Sequence, residues 1–110
     1  MFRRVKSSAL LVMCTCPDTS TAERIAGVLV ENGLAACVNL LPGASSVYRW
    51  QGRVERTTET LMVIKTTSPG YPALEERLAQ EHPYDVPEIV ALDITAGLTP
   101  YLDWIDSCVN

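Results

Sequence analysis

The sequence predicts an α+β fold in which two strand-helix-strand units interleave and a short helix closes the chain. Three observations carry this. Apolar runs of strand length alternate with two stretches of helical periodicity. Proline and glycine clusters punctuate the junctions between them. The resulting order, β-α-β-β-α-β, fits within 110 residues without repeat or linker, so residues 1–110 read as one domain.

Ser8 to Cys16 is a short run rich in Leu and Val that stops at Pro17-Asp18, as a buried central strand does. Ala22, Ile25, Ala26, Leu29 and Val30 then recur at helical spacing, with Glu23, Arg24 and Glu31 between them. Ser20 and Glu23 fit a capping box, and Asn32-Gly33 supplies the stop. Leu34 to Leu41 reads as the second strand, interrupted at Pro42-Gly43 and extended by Ser45 to Trp50. Gln51-Gly52 is a tight reversal, and Arg53 to Thr67 returns as the third strand.

In that third strand Leu61, Met62, Val63 and Ile64 are apolar without alternation, which predicts cover on both faces. Glu55, Arg56 and Glu59 are polar, so the hairpin tip is expected to project beyond the core. A hairpin that long needs support beyond one small sheet, and Tyr48 and Trp50 suit a contact between subunits. Ser68-Pro69-Gly70 breaks the chain before a helix with Pro72 in its first turn and Leu74 and Leu78 as its stripe. That helix ends at His82-Pro83. Glu88 to Ile94 is the fourth strand, and Thr99 is the expected N-cap of a helix carrying Tyr101, Leu102, Trp104 and Ile105. Two split β-α-β halves in this order are the signature of a ferredoxin-like sandwich.

Composition narrows the function. A net charge of −4 argues against nucleic acid, which needs clustered Lys and Arg. Arg3, Arg4 and Lys6 form only a short basic group, and the apolar run after them is too brief for a signal peptide. No apolar run is long enough to span a membrane. The chain is therefore expected in the cytoplasm, with its four cysteines as thiols rather than a disulfide framework. Phosphate-binding glycine loops are missing, and a formal Cys-His pair has no orienting group marked beside it. The expectation is a protein that is not an enzyme.

Two features remain. His82-Pro83-Tyr84-Asp85-Val86-Pro87-Glu88 places the sole histidine at the mouth of a segment stiffened by two prolines. Cys14 and Cys16 stand two apart on a strand, so their thiols share a face. Thiolate and imidazole suit copper or zinc, while two core cysteines would look the same. Cys37 and Cys108, on apolar faces, read as structural. A working metal site also needs groups that fix the imidazole tautomer, and Asp85 or Glu88 are candidates.

The runs Cys14-Thr15-Cys16-Pro17-Asp18 and Leu34-Ala35-Ala36-Cys37-Val38-Asn39 resemble the CutA divalent-cation tolerance family. So do Tyr48-Arg49-Trp50-Gln51-Gly52, Glu59 with Ile64-Lys65-Thr66, the segment from His82 to Ile89, and Tyr101-Leu102-Asp103-Trp104-Ile105. The resemblance runs from about Ala9 to Ile105. It implies a cytoplasmic homotrimer, similar in architecture to the PII signalling proteins, whose long hairpins extend sheets between subunits. It also implies tolerance to copper and other divalent cations, with metal ligands at Cys14 and His82. In some members a second histidine precedes the one matched by His82. Here Glu81 stands there, which leaves a harder oxygen ligand or one ligand fewer. The competing expectation is a PII-like structural or signalling trimer that binds a small ligand or a partner protein.

Overall fold

A computed structural model describes residues 2–4 and 8–110; Lys6, part of the short basic group, lies outside them. The elements are β1 (Phe2–Arg4), β2 (Ala9–Cys16), α1 (Thr19–Glu31), β3 (Cys37–Trp50), β4 (Arg53–Thr67), α2 (Tyr71–Glu81), β5 (Val90–Asp93), β6 (Ala96–Leu98) and α3 (Thr99–Cys108). Four strands form an antiparallel sheet in the order β3-β4-β2-β5, which interleaves the two β-α-β units as the element order predicts. The pairing of β1 with β6 into a separate two-stranded ribbon was not expected. Three-residue strands offer too little alternation to be read from sequence.

Strand periodicity sorts the sheet into two faces. Val12, Cys14 and Cys16 on β2 and Met62 and Ile64 on β4 point at the helices and are fully buried. They pack with Ala22, Ile25 and Leu29 of α1 and Leu74 and Leu78 of α2 in one core. A second, smaller cluster joins Leu102 and Ile105 of α3 to Ala9 and Ala36. The remainder of the opposite face carries Leu11, Met13, Leu61 and Val63, half-buried, with Leu41, Val90 and Leu92 exposed.

The hairpin of β3 and β4 projects as expected. The molecule measures 45 × 25 × 22 Å and its Cα radius of gyration is 14.6 Å. A compact domain of this length would have about 13 Å. Gln51 and Gly52 at the tip both have positive φ, 50° and 78°, the conformation of a two-residue type I′ turn. The register shifts between Leu41 and Ala44, where Pro42 and Gly43 form the interruption read from the sequence.

Several boundaries differ from expectation. The cap of α1 is Asp18, whose carboxylate accepts from the Thr21 amide at 2.8 Å, so the Ser20–Glu23 box is not used. Ser20 instead donates its hydroxyl to the same carboxylate. Strand β3 starts at Cys37 because the Leu34 and Ala35 amides both turn back to the Leu29 carbonyl, at 2.9 and 3.3 Å. Thr99 lies inside α3, whose N-cap is Leu98 without a side-chain hydrogen bond. Glu59 is not part of an exposed tip: it is buried, and its carboxylate accepts from the Tyr84 hydroxyl at 3.0 Å.

Candidate metal centre

The last rungs of β2 and the end of α2 meet at one point. Cys14 and Cys16 alternate onto the helical face, opposite Met62 and Thr60 of β4. Pro83 cannot tolerate a helical residue before it, so His82 leaves α2 at φ −77° and ψ 138° while its amide still bonds the Leu78 carbonyl. That turn carries the imidazole back over the end of β2. The Sγ atoms of Cys14 and Cys16 and a ring nitrogen of His82 all lie within 4.8 Å of one another, and all three residues are buried. Cys16 Sγ is 3.8 Å from His82 Nε2 and 3.4 Å from Met62 Sδ.

The thiols act as a pair. The hydrogen bond between them pushes Cys14 far above the ordinary thiol range, and burial adds to this. The same hydrogen bond draws Cys16 below that range, against the opposing effect of burial.

The imidazole is held by backbone. Its Nδ1 accepts from the Tyr84 amide at 3.1 Å, and its Nε2 lies 2.8 Å from the Thr15 carbonyl. An amide has only a proton to give and a carbonyl only lone pairs, so the proton sits on Nε2. Neither Asp85 nor Glu88 does this work, contrary to the expectation of a carboxylate partner. Beyond Met13 the rungs between β2 and β5 stop, and the Thr15 carbonyl goes to the imidazole instead.

Glu81 is not available as an oxygen ligand. Its carboxylate accepts from Arg24 Nη1 at 2.8 Å and Arg77 Nε at 3.0 Å, and Arg24 also reaches its carbonyl. The third donor is Cys16, which the resemblance did not assign. Its place two residues after Cys14 on one strand face was the signal available. The donor set fits a soft or borderline metal. Tetrahedral zinc with Zn–S of about 2.3 Å and Zn–N of about 2.0 Å separates its ligands by roughly 3.5–3.8 Å. Cys16 and His82 stand 3.8 Å apart and the full set lies within 4.8 Å, somewhat wider than a closed zinc site, so binding an ion would draw the donors together.

Beside the site opens a cleft of about 610 Å³, lined by Thr15, Glu59, Tyr84, Asp85, Val86, Glu88 and the β3 stretch from Ser45 to Trp50. Tyr84 forms its inner wall. Its ring packs against His82 in a tilted arrangement, 4.8 Å between centroids and 55° between planes, and its phenol is pushed up to about 12 by burial and by the bond to Glu59. Cys37 lies elsewhere, 3.7 Å from the Tyr101 hydroxyl, and Cys108 packs beside the α3 cluster; all four cysteines are free.

Fold and site together define a small α+β protein with a buried thiol–imidazole centre at the end of a central strand. The model of the CutA1 divalent ion tolerance protein family matches residues 10–108, and the chain belongs to that family. A divalent-cation tolerance protein CutA from Thermus thermophilus is 52% identical over 95 residues, 86% of this chain and 92% of that protein. The crystal structure of CutA from Xylella fastidiosa superposes with a TM-score of 0.92 at 46% identity, covering 94% of this chain and 100% of that one. CutA from Synechococcus elongatus gives 0.94 at 36% identity, covering 100% and 96%. No helix among the described residues is long and apolar enough to cross a membrane.

Proposed function

We propose that this chain binds a soft or borderline metal ion, copper first among them, through Cys14, Cys16 and His82, and that it does so as a non-catalytic homotrimer in the cytoplasm. The observation that carries the reading is the convergence of three buried donors from two elements within 4.8 Å. Buried thiols alone are ordinary core residues, and it is the imidazole brought among them that makes a ligand set of the three. Membership of a divalent ion tolerance family supports it. Four free thiols fit a reducing compartment.

The trimer is supported by the apolar side chains that this chain leaves uncovered. Val90 and Leu92 on β5 and Val47, Trp50 and Val54 on the hairpin are each about half exposed or more. The sheet face and the hairpin would be buried together by neighbouring copies, as in PII-like assemblies. Light scattering should give three chains; a stable monomer removes this part of the reading.

The metal site is tested by anaerobic titration with Cu⁺ and Zn²⁺. One ion per chain is expected. Cys16→Ser and His82→Ala should each weaken binding by about a hundredfold or more, since a ligand costs at least as much as an outer-shell partner. Variants that titrate like the parent would refute the site. The cleft beside Tyr84 favours a second reading, a PII-like protein that holds a small molecule or partner there. A non-metal ligand at 100 times its Kd would add roughly 2.7 kcal/mol of stability and raise the melting temperature of a Cys16→Ser variant equally.

A further inference from the structure

The imidazole of His82 is held in a form that cannot bind a metal. Its Nδ1 lone pair is engaged by the Tyr84 amide, and its Nε2 carries a proton directed at the Thr15 carbonyl. Coordination through Nε2 requires that lone pair, so the proton must leave it. A neutral ring then carries the proton on Nδ1, where it faces the Tyr84 N–H, donor against donor. Coordination through Nδ1 instead takes the very lone pair that the amide uses. Every neutral ring that binds a metal therefore loses the hydrogen bond from Tyr84.

Tyr84 is not an isolated group. The same residue packs its ring against His82, donates its hydroxyl to the buried Glu59 and walls the cleft. A single residue, Pro83, separates it from the thiol-facing imidazole, and its fixed φ makes the link stiff. From this geometry we propose that the His82-Pro83-Tyr84 turn is a latch between metal site and cleft. Metal loading breaks the hydrogen bond from the Tyr84 amide to the imidazole, loosens the Tyr84–Glu59 contact and frees the segment from Tyr84 to Glu88. The occupancy of a buried ion is thereby displayed as a change in the shape of an open cleft. The proposal rests on the metal reading above, with His82 as a ligand.

By linkage, whatever holds the latch shut opposes the metal. Tyr84→Phe keeps the ring against His82 but removes the hydroxyl bond to Glu59. This variant should bind Zn²⁺ more tightly, by about three- to tenfold, the range a lost hydrogen bond supplies. A residue that merely supported the site would weaken binding when trimmed. Unchanged or weaker binding overturns the latch.

Amide hydrogen exchange of the intact protein, with and without Zn²⁺ under reducing conditions, reads the latch directly. The Tyr84 amide should exchange faster once zinc is bound, while amides within α1 stay protected. Zinc that binds and leaves the Tyr84 amide as slow as before overturns the latch but leaves the metal site standing. If neither Zn²⁺ nor Cu⁺ binds, or if both bind equally to His82→Ala, the metal reading falls and the latch with it. In His82→Ala the amide should exchange fast without metal, and zinc should not change it.

Discussion

The two halves of the β3–β4 hairpin are built to opposite rules. Near the sheet, Met62, Ile64 and Thr66 are fully buried, sealed by α1 and α2 or by hydrogen bonds such as that from Thr66 to the Leu34 carbonyl. Toward the tip, Val47 is 62% exposed, Trp50 51% and Val54 54%. Both halves belong to the same strand pair, joined across the register shift at Pro42-Gly43. On its helix-facing side the inner half, with the candidate metal site beside it, is sealed within this chain. The outer half presents apolar side chains for which the described residues provide no cover.

Substitution of a buried side chain should give the largest effect. Ile64→Ala removes three carbons from a fully buried position between the two helices. It should cost about 2–5 kcal/mol in urea unfolding. If the inner half is as tightly packed as its burial implies, a loss well below that range breaks the comparison.

The outer half should respond differently. A side chain left in water changes stability by no more than about 0.5 kcal/mol when it is trimmed. Buried against neighbouring copies, Trp50→Ala should cost more than that, and its unfolding midpoint should rise with protein concentration. The proposed trimer predicts the second behaviour. A small effect at every concentration would mean that the tip stands in solvent.

Elements with strong periodicity were legible in the sequence, and so was the hairpin, because helix α1 and strands β2 and β4 each commit many residues to one pattern. Caps and short strands were not. Asp18 and Ser20 both qualify chemically as N-caps, and only the backbone decides which carbonyl and amide lie in reach. The site was half legible. Cys14 and His82 came from resemblance, and the shared face of Cys14 and Cys16 came from strand periodicity. That Cys16 rather than Glu81 completes the donor set depends on Arg24 and Arg77, which reach Glu81 from two different helices. No local pattern records that meeting. The backbone partners of His82 were hidden for the same reason, since a carbonyl or amide leaves no trace in residue identity.

The smallest expected effect concerns Glu81 itself, and it separates a structural carboxylate from a ligand. Hydrogen bonds from Arg77 and then Arg24 hold its carboxyl below the ordinary glutamate value. A carboxyl depressed on folding stabilises the native state above its unfolded value, and that contribution is lost as pH falls through the folded value. Glu81→Gln should therefore lower stability modestly near neutrality, and the gap from the parent should close as the pH falls from the ordinary glutamate range through the depressed folded value. Because Arg24 and Arg77 are both well exposed, the gap should also shrink in high salt. Zinc affinity should be unaffected in the same variant, since the carboxylate is committed to the two guanidinium groups. A variant that loses zinc binding would return Glu81 to the candidate metal site, and with it the harder oxygen donor that glutamate in place of a histidine first implied.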